Sequence, residues 1–152
     1  MSVRPALFVL ALQISAALAA DEAGFPQGLW KLNERESRTL APKSQTLEII
    51  NDDGRSLSFA INESRADGTQ VRLKWSGTYG GPPRQVEGDR LTLQVRHGPQ
   101  GSIRISGRGS GEIRFEEICR VSRGGNRLEC NGTQTDRSGR QDHYLETYDR
   151  IS

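Results

Sequence analysis

The sequence predicts an all-β protein, an antiparallel up-and-down meander of roughly eight to ten strands that closes into a barrel. Three observations carry this. From Gly28 onward apolar residues fall at every second position with polar or charged residues between them, the pattern of strands with one dry and one wet face. Turn formers punctuate that pattern, with 17 glycines and 6 prolines in 152 residues, and no helix of normal length interrupts it. The connections are short apart from 34–42 and 78–88, whereas a sandwich needs several long crossings between its sheets. Closure also removes the exposed edges of an open sheet. With 34% hydrophobic residues the chain can bury one modest core, so a single domain is expected.

At the N-terminus, Arg4 supplies a positive start, Ala6 to Leu12 an apolar stretch, and Ala17-Leu18-Ala19 a small-x-small cleavage site. Residues 1–20 are therefore expected to be a cleaved signal peptide, and 21–152 the barrel domain of a secreted or periplasmic protein. The acidic, Pro-containing segment Asp21 to Pro26 argues against a membrane anchor, and no later apolar run reaches the roughly 20 residues of a membrane span.

The strands follow in order. Trp30 and Leu32 alternate in the first, Leu47 and Ile49 in the second, and Asn51-Asp52-Asp53-Gly54 turns the chain. Leu57, Phe59 and Ile61 share one face, Asp67-Gly68 turns, and Val71, Leu73, Trp75, Gly77 and Tyr79 keep one parity along a longer strand. Gly80-Gly81-Pro82-Pro83 breaks that strand, and Leu91, Leu93 and Val95 begin the next after Gly88-Asp89. Ile103 and Ile105 make a short strand. The run Gly107 to Gly111 then turns into Ile113, Phe115, Cys119 and Val121. Leu128 and Cys130 lie beyond Gly124-Gly125, and Asp136 to Gly139 turns into a last strand through Leu145 to Ile151.

Lys plus Arg totals 21 and Asp plus Glu 19, a formal net charge of +2, too small to draw the chain to a phosphate backbone, so nucleic acid is not an expected partner. In an oxidising compartment Cys119 and Cys130 are read as a disulfide. A hairpin turn centred on Gly124-Gly125 sets them directly opposite, within bridging distance. Two cysteines without nearby histidines offer too few ligands for a metal.

The opening Gly28-Leu29-Trp30-Lys31-Leu32-Asn33 resembles the G-x-W start of lipocalins and fatty-acid-binding proteins, the calycin barrels. More closely, the chain resembles small secreted bacterial proteins whose first strand reads W-K-L-N. That likeness extends over Ser37, Pro42 to Thr46, Asp67-Gly68, Tyr79-Gly80-Gly81 and Glu146 to Arg150. The resemblance implies that Trp30 lies across the closed end of the barrel against Arg150 of the last strand. The Cys119 and Cys130 hairpin is not a hallmark of either large family, and no paired-arginine carboxylate clamp can be located.

No nucleophile, metal or phosphate motif emerges, so no catalytic residue, metal or cofactor is assigned. The run Gly107 to Gly111 lacks the helix that would hold an anion and reads as a turn. His97 falls in a turn, as a solvated surface residue would. His143 shares parity with Leu145, Thr147 and Ile151 and so is expected to face inward. Glu117 breaks the apolar parity of Phe115 and Cys119. Either it projects into the barrel, where a carboxylate needs a partner, or a β-bulge near Glu116-Glu117 returns it to water.

Two functional readings result. In the first, the chain is a monomeric, non-enzymatic binding protein that holds a small, mainly apolar ligand. Its interior is lined by Phe59, Trp75, Leu93, Ile105, Phe115 and Leu145, with Glu117 and His143 as orienting polar groups. In the second, the barrel is filled and the protein acts by its surface, docking onto another protein through the 80–84 and 34–42 loops.

Overall fold

The computed structural model describes residues 24–38 and 44–152. The expected signal peptide, 1–20, lies outside the described residues. Ten strands follow in order: β1 (Gly28–Leu32), β2 (Ser44–Asp52), β3 (Ser56–Ser64), β4 (Gln70–Thr78), β5 (Arg84–Gln85), β6 (Thr92–His97), β7 (Ile103–Arg108), β8 (Arg114–Val121), β9 (Arg127–Thr135) and β10 (Gln141–Arg150). Single 3-10 turns at Pro99–Gly101 and Ser110–Glu112 are the helical elements among the described residues.

All ten strands form one antiparallel sheet in the order β4-β3-β2-β1-β10-β9-β8-β7-β6-β5. Strands consecutive in sequence are neighbours except β4 and β5, which stand at opposite ends of the sheet, and the one non-local pairing, β1 with β10, joins the two halves and curls the meander. The two ends of the sheet meet at β4 and the chain beyond β5. There Lys74 and Glu87 exchange backbone hydrogen bonds of 3.2 and 2.8 Å, and the Trp75 indole N–H donates to the Arg84 carbonyl at 3.1 Å. The result is a nearly closed barrel, as the alternation predicted.

The β1–β10 register sets Trp30 opposite Arg150 and Leu32 opposite Tyr148. Trp30 is fully buried, and the Arg150 guanidinium lies 5.6 Å from its ring centre while donating to the Gln27 carbonyl at 2.6 Å. This register points the even-numbered residues of β10 inward. The expected parity of His143, Leu145, Thr147 and Ile151 is thus reversed. His143 stands exposed on the outer face with Nδ1 3.0 Å from Thr133 Oγ1. Leu145 and Thr147 also face outward but are covered by the chain after β1. Arg38 and Leu145 exchange backbone bonds of 2.7 and 2.9 Å, and the Thr147 N–H donates to Ser37 Oγ at 2.9 Å, leaving Thr147 1% exposed.

A β-bulge does occur, but in β2. The register shifts between Ile49 and Asn51, leaving Ile50 as the extra residue, 45% exposed. Beyond it Asp52 pairs with the buried Leu57. Its carboxylate accepts from the Phe25 N–H at 2.8 Å and the Tyr79 hydroxyl at 2.7 Å. The bulge thereby fixes Phe25 at one end of the core. In β8 the pairing runs without a shift from Arg114 to Val121, which decides the question left open for Glu117: it faces inward.

Cys119 and Cys130 are directly paired across β8 and β9 and joined in a disulfide, with Cα atoms 4.0 Å apart. Both are buried. Alkylation of the unfolded, unreduced protein should find no free thiol, and replacing both cysteines by alanine should cost about 3 kcal/mol by the entropy of the short closed loop. Detection of two free thiols would contradict the pairing. Truncation of Trp30 to alanine should cost several kcal/mol in urea unfolding. Arg150→Ala should cost about 1 kcal/mol, and an Arg150→Ala stability equal to the parent's would remove the cation–π contact from the account.

Candidate functional site: the barrel interior

Three inward-facing glycines shape the interior. A Cβ at Gly77, Gly107 or Gly132 would collide with the ring of Trp75, Phe115 or Tyr144 respectively. Each glycine leaves a bay filled by a neighbouring aromatic ring, and glycines at such positions are what let the strands of small barrels bend. The bay at Gly132 has a chemical consequence. Gly132 of β9 pairs on one side with Tyr144 of β10 and on the other with Glu117 of β8. With no side chain between them, the Tyr144 ring crosses β9 and its hydroxyl donates to Glu117 Oε2 at 2.9 Å.

A second polar group stands one row away. Glu146 pairs with Cys130, and its Oε2 accepts from the Tyr148 hydroxyl at 2.7 Å. Gln45 of β2, itself buried, donates Nε2 to the same hydroxyl at 2.6 Å. Two carboxyl groups on one side of an apolar barrel thus receive tyrosine donors. Burial, and next the nearby Glu146 carboxylate, push the Glu117 carboxyl up to about 8, against the opposing effect of the Tyr144 hydrogen bond. Tyr144 and Tyr148 are both raised above the usual phenol range, chiefly by burial. They remain neutral donors.

Glu117, Glu146, Gln45 and Tyr148 border a cavity of about 120 Å³ at the centre of the barrel. Of the site residues named from the sequence, Phe59, Leu93, Ile105, Phe115 and Glu117 line it. Trp75 is buried behind Phe59, with ring centres 5.7 Å apart, and is not part of the wall. His143 and Leu145 lie on the outer face and take no part in it. Sequence reasoning missed Phe25, Gln45, Glu146 and Tyr148, all of which line the cavity. The signal for two of them was present, since pairing Trp30 with Arg150 places Glu146 and Tyr148 on the same inner face.

The Glu117 carboxylate and the sulfurs of Cys119 and Cys130 lie within 4.8 Å of one another. Because the sulfurs are bonded to each other, no thiolate is available, and this cluster is not a metal ligand set. His97 is also spoken for: its ring stacks on Tyr79 with centres 4.0 Å apart, and Nε2 lies 2.9 Å from the Gly54 carbonyl oxygen.

No protein-family model matches the chain, and no curated protein matches it in sequence. Among solved structures it is similar to the wild-type fluorescent protein UnaG, at 17% identity and a TM-score of 0.56, over 82% of this chain and 96% of that one. A variant of that protein with one asparagine replaced by alanine matches at 17% identity and a TM-score of 0.56, over 83% and 96% of the two chains. This likeness is one of fold: an antiparallel, nearly closed meander barrel.

The raised Glu117 pKa carries a pH dependence. In the unfolded chain this carboxyl ionises near 4.5, and in the fold only near 8, so across that window the folded state keeps a proton that the unfolded state has lost. Stability should be highest below that window and fall as pH rises through it. Glu117→Gln removes the effect and keeps an acceptor for Tyr144. In urea titrations the variant should match the parent near about pH 4 and exceed it by a few kcal/mol near about pH 9. A constant difference across pH would mean that Glu117 is solvated.

Proposed function

We propose that this is a non-enzymatic binding protein that holds a small, mainly apolar ligand inside the barrel, and that it acts as a secreted or periplasmic monomer. The observation that carries the reading is the central cavity, walled by apolar side chains from strands all round the barrel and edged by a few convergent polar groups. That combination is the usual make-up of a small-molecule site. Its volume of about 120 Å³ is close to that of an engineered apolar cavity of roughly 150 Å³ that holds benzene. The ligand on this reading is a single compact ring or its aliphatic equivalent. The compartment rests on the leader-like residues 1–20 and agrees with the disulfide. The closeness to small secreted bacterial proteins rests on the strand and turn motifs alone.

The test is native mass spectrometry of the purified protein for small molecules retained from its source, followed by titration with toluene while tryptophan emission is read. Toluene should give a saturable change that disappears in Trp75→Phe, because Trp75 stacks on Phe59 and Phe59 lines the cavity. No retained molecule and no saturable response would sink the reading. The surface-acting alternative, through the exposed Pro82, Pro83 and Arg84, would then take its place.

A further inference from the structure

We infer that the outer face of β6, β7 and β8 is a docking surface for an acidic polysaccharide, held by a diagonal stripe of four arginines. This goes beyond the ligand-binding reading and does not depend on it. The strand register builds the stripe. Arg96 of β6 stands directly opposite Arg104 of β7, and Arg108 of β7 stands directly opposite Arg114 of β8. All four are exposed. Arg104 and Arg108 are four residues apart on one strand, about 13 Å by the strand rise, so the two pairs make one band across three strands. Among the described residues of these strands, Glu116 is the one acid on the same face.

Like charges set directly opposite each other across a ladder weaken the pairing. Elsewhere on the barrel the arginines are given carboxylates: Arg72 reaches Glu48 at 3.4 Å, Arg127 reaches Glu36 at 2.7 Å, and Arg140 reaches Asp142 at 2.9 Å. Among the described residues no guanidinium of the stripe has such an ion pair, and Arg96 donates to the Gln94 side-chain carbonyl at 3.4 Å. The stripe is therefore complementary to negative charge brought by a partner.

The chemistry of the face selects among anionic partners. A guanidinium is a planar fork that grips a carboxylate through two parallel hydrogen bonds. Beside the stripe runs a groove of about 390 Å³, bordered in part by Thr92, Ser106 and Glu116. Two hydroxyls and a carboxylate there suit the hydroxyl groups of a sugar, which both donate and accept. Single-stranded nucleic acid would need exposed rings on which to stack its bases, and none of these strands exposes a tryptophan, tyrosine or phenylalanine. A membrane surface would need apolar anchors, and the exposed large apolar residues among the described ones, Ile50 and Ile151, lie outside these strands.

The experiment measures binding of the intact, disulfide-bonded protein to polygalacturonate by calorimetry at low salt. Neutral dextran, phosphatidylglycerol vesicles and a DNA single strand serve as comparisons. Polygalacturonate should bind the most tightly of the four, and its binding should be lost at about 1 M salt, where the screening length is about 3 Å. On the parent protein the amide NMR signals that move should cluster at Arg96, Arg104, Ser106, Arg108 and Arg114. The double variant Arg104→Gln with Arg108→Gln should bind at least about tenfold more weakly. Arg72→Gln with Arg140→Gln removes the same charge from arginines already paired and should bind within about twofold of the parent. If the first double variant does not fold, the NMR map on the parent decides alone. No binding at low salt, dextran binding as tightly as polygalacturonate, or equal losses in the two double variants would overturn the proposal. Tighter binding to the vesicles or to DNA would overturn the polysaccharide assignment and give the stripe to that class of partner.

Discussion

The pairing of the first strand with the last is the constraint from which the interior follows. Eight pairings join strands consecutive in sequence, as in an open meander, and the β1–β10 register is what makes the sheet curl. Trp30 and Arg150 sit at that seam, one fully buried and the other spread over its ring. Because side chains alternate strictly between faces, fixing one pair fixes every inward position of β10. From there the register passes through β9 and β8 without a slip, carrying Tyr144, Glu146, Tyr148, Cys130, Cys119 and Glu117 to one wall.

That wall combines features that stability alone would not select. A carboxyl group in an apolar interior costs free energy unless it is partnered, and here two stand close enough that Glu146 opposes the ionisation of Glu117. The fold meets part of the cost with tyrosine hydroxyls, and Gly132 is what allows one of them to reach. A valine there would fill the interior more completely and leave Glu117 without its donor. Local departures from the best apolar packing that are themselves held in place by packing are typical of sites shaped for a ligand.

Much of this was legible in the sequence. Alternation and turn residues were enough for the antiparallel meander, and Gly124-Gly125 was enough for the Cys119–Cys130 bridge, because both depend on local periodicity and turn chemistry. The parity of the last strand was misread from Leu145 and Ile151. Leu145 is apolar because the chain after β1 covers it from outside, a tertiary contact that no local pattern reports. The motif pairing Trp30 with Arg150 held the opposite parity, and taken consistently it would have placed Glu146 and Tyr148 inside. The bulge was sought at Glu116-Glu117, where an acid interrupts an apolar row, yet it falls at Ile50, where nothing in the composition marks it. Trp75 shares the inner face but stands behind Phe59, a matter of depth that alternation cannot resolve.

The central claim is that the barrel encloses a ligand-sized apolar space instead of a filled core, and xenon tests it most directly because xenon enters such spaces without needing a polar partner. Crystals of the protein held under xenon should show one interior xenon site bordered by Phe59, Leu93, Ile105 and Phe115. A barrel whose side chains close over that volume, with no xenon inside, would contradict the account.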